Sequence, residues 1–563
     1  MTGTFEHAVT HPQPHGTHTV LNQSTPRVDV NEYTLDTVLA EAVARHDGGW
    51  GEQELTEIGA LVGTGQFQHD AELANTVTPV LHTFDRWGHR IDEVEYHPAY
   101  HRIIAAAVEH GAHTRSWADP RPGSNVVRAA AFMLFSQVEP GHACPVSMTH
   151  AVIPSLELQP DVAAQWVPRA LSRSYDPRLD APGKQSALFG MSMTEKQGGS
   201  DVRANTTVAR PAGKGGPGGD YLLTGHKWFC SAPMSDGFLV LAQAEGAAGT
   251  GLSCFLVPRV LPDGTRNVFR IQRLKNKLGN KSNASSEIEL DGTVGVMVGE
   301  PGRGVRTIIE MVARTRLDCI LGSSAGMRES VAQAVWHARH RAAFGATLVD
   351  QPAMAAVLAD LALESEAATV TAIRLARAHD EDASDSERAF RRLATAVAKY
   401  WICKRGPHHA YESLECLGGN GYTEDFPLAR RYREQPVMAV WEGSGNVIAL
   451  DVLRAMTREP ESVAAFDAEV NLARGTNAVL DAHLDRVRTQ LAELATLDSS
   501  GAQRRARAVV ESMALALQAS LLVRFSPAVV SETFVAARLG EDRGIEYGTL
   551  PPGADLSVIL ARA

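Results

Sequence analysis

The sequence predicts a mainly α protein with a small β domain in its middle. Three observations carry that prediction. Short apolar runs parted by strong turn signals are confined to residues 221–290. Apolar seams at three- and four-residue steps fill the chain on both sides. Nowhere do strands alternate with helices as in a doubly wound sheet. At 563 residues the chain has room for about three to four domains at roughly 150 residues each. Its 44% hydrophobic and 21% charged composition excludes a disordered or collagen-like chain and leaves material for several cores.

Residues 1–188 read as a helical zone with Pro-rich connections, in which 35–44 and 100–110 carry the helical spacing. Residues 11–26 are too polar and irregular for an element, and the amino-terminal histidines read as a tail. In the β domain, residues 221–224, 238–241, 254–257 and 286–290 read as strands, with turn signals at 216–220 and 262–264. The third zone is long-helical. Met354, Leu358, Leu361, Ser365, Ala368, Ala372 and Leu375 form a bundle seam, and Ser384 with Glu387 makes a capping box ahead of Phe390, Leu393 and Val397. The predicted domains are 1–188, 189–295, 296–455 and a helical extension, 456–563.

The net charge of −11 argues against whole-molecule attraction to nucleic acid or an anionic membrane. Six cysteines, the closest pair 13 residues apart, fit scattered thiols in a reducing compartment better than a disulfide framework. No basic-then-apolar leader is visible, and the apolar stretch 513–523 falls short of the ~20 residues of a membrane span. The expectation is a cytoplasmic protein without a membrane segment.

Several segments carry candidate chemistry. Residues 193–201 (Met-Thr-Glu-Lys-Gln-Gly-Gly-Ser-Asp) are a polar ligand-lining loop or a plain turn. Residues 225–231 (Gly-His-Lys-Trp-Phe-Cys-Ser) place aromatics beside a hydroxyl, suited to a planar cofactor or to a core. Residues 440–446 (Val-Trp-Glu-Gly-Ser-Gly-Asn) hold a carboxylate beside Trp441, where desolvation would tune a general base; the plainer reading is a helix start with an exposed glutamate. The glycines at 418, 419 and 421 follow a helix, which excludes a Rossmann fingerprint. His337 and His340 lack further ligands and read as a solvated helix face, so no metal is expected.

Together these segments resemble the acyl-CoA dehydrogenase family of flavoproteins, closest to its adaptive-response, AidB-type branch. The resemblance rests on Thr194–Asp201, Gly225–Ser231, Lys277-Leu-Gly279, Arg341-Ala-Ala-Phe-Gly345, Gly418–Tyr422 and Trp441-Glu-Gly443, six motifs in family order. Lys196 replaces the family's proline. The branch adds residues 17–23, 190–202, 402–406, 441–446 and the carboxy-terminal extension. It implies a helical domain, a middle β-barrel, a four-helix bundle and the extra helices, with FAD bound between subunits of a homotetramer.

Carried over residue by residue, Met191, Met193, Thr194, Gly199, Ser200, Phe229, Cys230 and Ser231 meet the flavin from the β domain. Trp441, Gly443, Ser444 and Asn446 meet it from the bundle, and Arg341 and Phe344 belong to a neighbouring subunit's nucleotide end. Glu415 stands where many relatives have glutamine. Glu442 is the base, since Thr315 cannot serve at the alternative position some relatives use. The implied reaction removes the α-proton of an acyl-CoA and passes a hydride to FAD, with an electron-transfer flavoprotein or oxygen as acceptor. The branch is associated with protection against DNA alkylation, whether by acting on an alkylating small molecule or by binding double-stranded DNA, and with weak dehydrogenation of isovaleryl-CoA. Residues 456–563 hold 11 arginines and no lysine against 14 acids, with Arg486, Arg488, Arg504, Arg505 and Arg507 clustered. That cluster is the candidate DNA-binding face, and the alternative is ordinary solvated charge.

Overall fold

The computed structural model describes residues 17, 20–180, 183–541 and 543–563. His7, His11, His15 and His18 of the expected tail lie outside the described residues. The first zone packs helices that include Thr37–Arg45, Glu52–Val62, Pro98–Glu109 and Ser124–Val138. It also holds an antiparallel hairpin, Val80–Phe84 with Arg90–Glu95, which the helical reading lacks. Val80–Phe84 is solvent-facing although largely apolar, and Arg90–Glu95 buries a charged residue, Asp92, beside Val94, so neither strand shows the expected apolar-in, polar-out alternation.

The β domain closes into a barrel. Gly237–Ala244, Val208–Pro211, Asp220–Ser231, Ser285–Val298 and Gly251–Pro258 pair in that order, and the last returns to the first. Phe189–Ser192 and Arg270–Leu274 flank this ring. Closure removes the open edges that would otherwise template association. Phe238, Val240 and Ala242 face one core, while Leu239 and Leu241 face a second core with Trp166 and Ile308. Burial on both faces explains why this strand reads as an unbroken apolar run.

The bundle follows with Gly304–His340, Pro352–Ala378, Asp385–Glu415 and Pro427–Val440, then Gly445–Arg458. Six of the seven seam positions are buried, Met354 being half-buried, and the Ser384 hydroxyl caps the Glu387 amide. The expected divisions at 295/296 and 455/456 fall inside the strand ending at Val298 and the helix ending at Arg458. Ser499–Phe525 in the extension spans 27 residues, longer than the 513–523 stretch suggested. It is long and apolar enough to cross a membrane by length and composition, yet 67% of that window is buried within the protein. It packs against the Pro352–Ala378, Asp385–Glu415 and Gly445–Arg458 helices, so its apolarity has a core to fill.

Two polar contacts dock the first zone on the bundle. Asp380 accepts the Gly123 and Asn125 amides at 2.9 and 2.6 Å, capping Ser124–Val138 from outside, because Gly123 has no side chain to do so. The Arg128 guanidinium is fully buried and grips Asp318 of the Gly304–His340 helix with both terminal nitrogens, while its Nε reaches the Ala112 carbonyl at 2.8 Å. Arg128→Met strands the Asp318 carboxylate without its cation. Chemical denaturation should show a loss of about 3–5 kcal/mol, most of it restored by adding Asp318→Leu, as for other buried pairs removed whole. A single variant as stable as the parent would show that the pair does not hold the domains together.

Candidate active site

The loop at 193–199 is fixed to the barrel from beneath. Glu195 and Lys227 form a salt bridge at 2.8 Å with both side chains fully buried. Glu195 also accepts the Thr206 and Thr207 amides and hydroxyls at 2.6–3.1 Å, and Lys227 donates to the Leu241 carbonyl at 2.7 Å. Burial alone would push the Glu195 carboxyl up; Lys227 and these hydrogen bonds outweigh it and hold it well below the usual carboxylate range. The Trp228 amide donates to the Thr194 carbonyl at 2.8 Å, which sets the loop against the strand. A side chain at Gly199 would start 2.6 Å from Thr194 Oγ1, so the threonine side chain would have to move to admit it.

Above this anchor the surface is open. Phe229 is 49% exposed, Ser200 is exposed, and Met191, Met193, Thr194 and Ser231 are half-buried. Cys230 differs: its side chain is fully buried, with burial pushing the thiol up to about 12, so it offers nothing to this surface through sulfur.

Glu442 comes to the same place from the bundle. Its φ is +57°, left-handed backbone that costs a non-glycine residue about 1–2 kcal/mol. Gly443 follows at φ +112°, with Ile448 only 3.0 Å from where a Cβ would sit. Two cations clamp this turn: Arg316 Nε donates to the Glu442 carbonyl at 3.1 Å and Lys399 Nζ to the Gly443 carbonyl at 2.6 Å. Asp451 holds Arg316 in turn, at 2.7 Å. Glu442 Oε2 is sequestered from water and has no hydrogen-bond partner among the described residues. Burial raises the carboxyl's pKa, against the opposing pull of Arg316, the Thr315 hydroxyl and Lys399. A carboxylate kept from water with an idle oxygen is what a general base needs. The exposed-glutamate alternative does not hold.

Cys144 joins the two halves. Burial pushes its thiol up to about 11, Lys277 and Glu442 act on it through their charge, and Asn283 and Ser231 are its hydrogen-bond partners. Trp441 packs by Cys319, Cys403 and Met438. Ser444 precedes the Gly445–Arg458 helix without capping it by its side chain, and Asn446 is exposed in the first turn.

Arg341 and Phe344 stand elsewhere. They follow the Gly304–His340 helix, and 25 residues at 1.5 Å separate Arg341 from Arg316 by about 37 Å. Phe344 is fully exposed at φ +52°. Asn22 and Gln23 bind Arg341, Ala342 and Asn420, strapping this tip to the turn at 418–422. His337 is buried, 3.0 Å from Ser24 Oγ, so the solvated-face reading fails for it because the same strap covers it. Among the described residues, His408, Glu412 and Glu546 bring ligand atoms within 4.8 Å, but His408 and Glu546 already contact each other at 3.0 Å.

In the extension, Arg488 is paired with Asp467 at 2.9 Å and Arg505 with Glu493 at 3.3 Å. Arg504 donates to Ser500 and Arg507 to the Tyr400 hydroxyl. Arg486 is exposed. Sequence reasoning missed Ser285, Arg316, Lys399 and Cys144 as parts of the site. Each arrives from a different segment, and no spacing along the chain links them.

Residues 22–177 match the adaptive response protein AidB N-terminal domain, 190–293 the acyl-CoA dehydrogenase middle domain and 302–457 its C-terminal domain. The chain is 45% identical over 478 residues to the putative acyl-CoA dehydrogenase AidB of Escherichia coli (strain K12), covering 84% of this chain and 87% of that one. It belongs to the acyl-CoA dehydrogenase family. Acyl-CoA dehydrogenase family member 11 of Caenorhabditis elegans is 30% identical over 77% of this chain and 71% of its own. The crystal structure of Caenorhabditis elegans ACDH-11 in complex with C11-CoA superposes with a TM-score of 0.84 at 26% identity, over 100% of this chain and 95% of that one.

In this acyl-CoA dehydrogenase, Lys227→Met should leave Glu195 buried without its cation and lower stability by about 3–5 kcal/mol in urea unfolding. Because the Glu195 carboxyl is depressed in the folded state, its contribution is present at neutral pH and fades as pH falls. The gap between variant and parent should therefore narrow on acidification. A gap that is absent at pH 7 or widens in acid would contradict this account of the loop.

Proposed function

We propose that this chain is an FAD-dependent oxidoreductase that takes the α-proton of an acyl thioester onto Glu442. The observation that carries the reading is the Glu442 carboxyl, raised in pKa by burial and with Oε2 sequestered and idle, which shares Cys144 as a neighbour with Ser231. The protein's surface suits the cofactor. Exposed Phe229, half-buried Thr194 and Ser231 and the small Gly199 against Thr194 offer a bed for a flat ring. Ser444 and Asn446, at the start of a 14-residue helix, suit its phosphates. Bound there, FAD supplies the acceptor for the hydride that leaves the β-carbon.

The chain's own part is to orient the thioester and hold the proton. Arg316 and Lys399 keep the strained turn closed on the α-carbon side, and the Glu442 carboxylate takes the proton as the Cα–H electron pair becomes the Cα=Cβ bond. Acyl-CoA is the substrate class supported by the relative solved with C11-CoA and by the family. Within it we favour short branched acyl groups such as isovaleryl as slow substrates, with an electron-transfer flavoprotein or oxygen as acceptor. Arg341 and Phe344, exposed at the far tip, would complete a neighbouring subunit's nucleotide site in a homotetramer. Protection against DNA alkylation would then act through flavin chemistry on a small molecule in the cytoplasm. The DNA-binding alternative has less support, because Arg488 and Arg505 are ion-paired with Asp467 and Glu493 and residues 456–563 hold more acids than arginines.

Glu442→Gln should keep FAD and fold while the anaerobic rate of flavin reduction by a competent acyl-CoA drops by ~10²–10⁴-fold. Only the carboxylate accepts the proton and burial raises its pKa, so the parent's rate should climb with pH through a value above the ordinary ~4.3. Bleaching of the variant at the parent's rate would remove Glu442 from the chemistry.

A further inference from the structure

Lys277 does not touch the surface described above, but it is joined to it by hydroxyls. Its Nζ donates to the Asn283 carbonyl at 2.5 Å and to Ser285 Oγ at 3.2 Å. Ser285 Oγ lies 3.0 Å from Ser231 Oγ. Ser285 is buried and sits opposite Ser231 in the barrel ladder, so the pair is held by main-chain register as well as by side chains.

The direction of this chain of hydrogen bonds follows from its first member. An ammonium has three donors and no acceptor, whereas a hydroxyl has one donor and two acceptor sites. A charged Lys277 can only donate to Ser285. Either hydroxyl of the Ser285–Ser231 pair can be the donor, and the charge of Lys277 on Ser285 favours Ser285 in that role, which leaves the Ser231 proton for the flavin side or for the neighbouring Cys144 thiol. Polarisation along such a chain strengthens the last donor. Neutral Lys277 gains a lone pair and can accept from Ser285, which reverses the order and turns Ser231 inward.

We propose that Lys277 is a positioning residue that, through Ser285, fixes the Ser231 hydroxyl as a donor toward the flavin and so stabilises the charge that arrives there on reduction. The inference rests on the placement of FAD against Ser231 made above. The surroundings make Lys277 a poor permanent cation. Burial, partly offset by Glu434 of the Pro427–Val440 helix and Glu139 after Ser124–Val138, brings its pKa down to about 8, where the Cys144 thiol of the Ala143–Ala151 helix is still neutral. The Cys144 thiol also borders Ser231 and Asn283, and Glu442 borders that thiol. The relay is set below pH 8 and relaxes above it.

The test is equilibrium reduction of the FAD-loaded protein against an indicator dye, which reads the flavin's affinity for electrons and no turnover. At pH 7, Lys277→Met should lower the ratio of reduced to oxidised flavin at a given dye ratio by about tenfold or more, the scale of one charge-assisted hydrogen bond. Ser285→Ala cuts the relay without removing the ammonium and should do the same, and the double variant should be no worse than either single. Lys277→Arg should keep the parent's ratio at pH 7 and lose the parent's decline through pH 8, since guanidinium does not titrate there. Parent-like ratios in both Lys277→Met and Ser285→Ala, with Ser231→Ala still shifted, would overturn the relay alone. A Ser231→Ala protein that binds and reduces FAD like the parent would withdraw the flavin placement, and the relay with it.

Discussion

The structure depends on keeping one carboxylate dry at the junction of a barrel and a helix bundle. Glu442 occupies left-handed backbone that a glutamate does not choose, and its Oε2 is buried without a hydrogen-bond partner among the described residues. Both conditions cost free energy, and both are imposed from outside the turn. Arg316 and Lys399 come from two bundle helices, bind successive carbonyls and prevent the turn from relaxing. Their charge also limits how far burial can raise the carboxyl's pKa. Burial thus holds the base above the ordinary carboxylate range, and the two cations limit that rise.

The barrel supplies the opposite wall and has its own internal anchor. The Glu195–Lys227 pair lies beneath the loop rather than in it, so residues 194–200 can stay polar and open while their backbone is fixed. Arg128–Asp318 and the Asp380 cap bind the first helical zone to the bundle that carries Arg316 and Lys399. Cys144 enters the junction on a helix of that same zone. Three zones therefore meet at one site, and a shift of any of them alters the surroundings of Glu442.

Much of this was legible in the sequence, for definable reasons. The barrel strands were readable because residues 238–241 are buried on both faces and 286–290 alternate. The bundle was readable because the Met354–Leu375 seam keeps helical spacing over six turns. The motifs marked the right loops because glycines at 199 and 443 answer local steric needs that do not depend on distant packing. The hairpin at 80–95 was not readable, since neither strand shows apolar-in, polar-out alternation. Nor was burial of His337, which depends on a segment more than 300 residues away. The partners of Glu442 and Ser231 share that property: Arg316, Lys399, Ser285 and Cys144 converge only in three dimensions. The arginines at 486–507 formed a patch in the sequence, and folding gave most of them acidic, hydroxyl or phenol partners.

The most direct measurement of the central claim follows the α-proton itself. The FAD-loaded protein is incubated anaerobically in D2O with an acyl-CoA analogue blocked at the β-carbon, and loss of the α-C–H signal is followed by proton NMR. This isolates proton removal from hydride transfer. The account predicts catalysed exchange by the parent, rising with pH through a value above the ordinary carboxylate range, and none beyond background in Glu442→Gln. Equal exchange by the two proteins would contradict it, because the dry carboxylate at the junction would then not be the group that takes the proton.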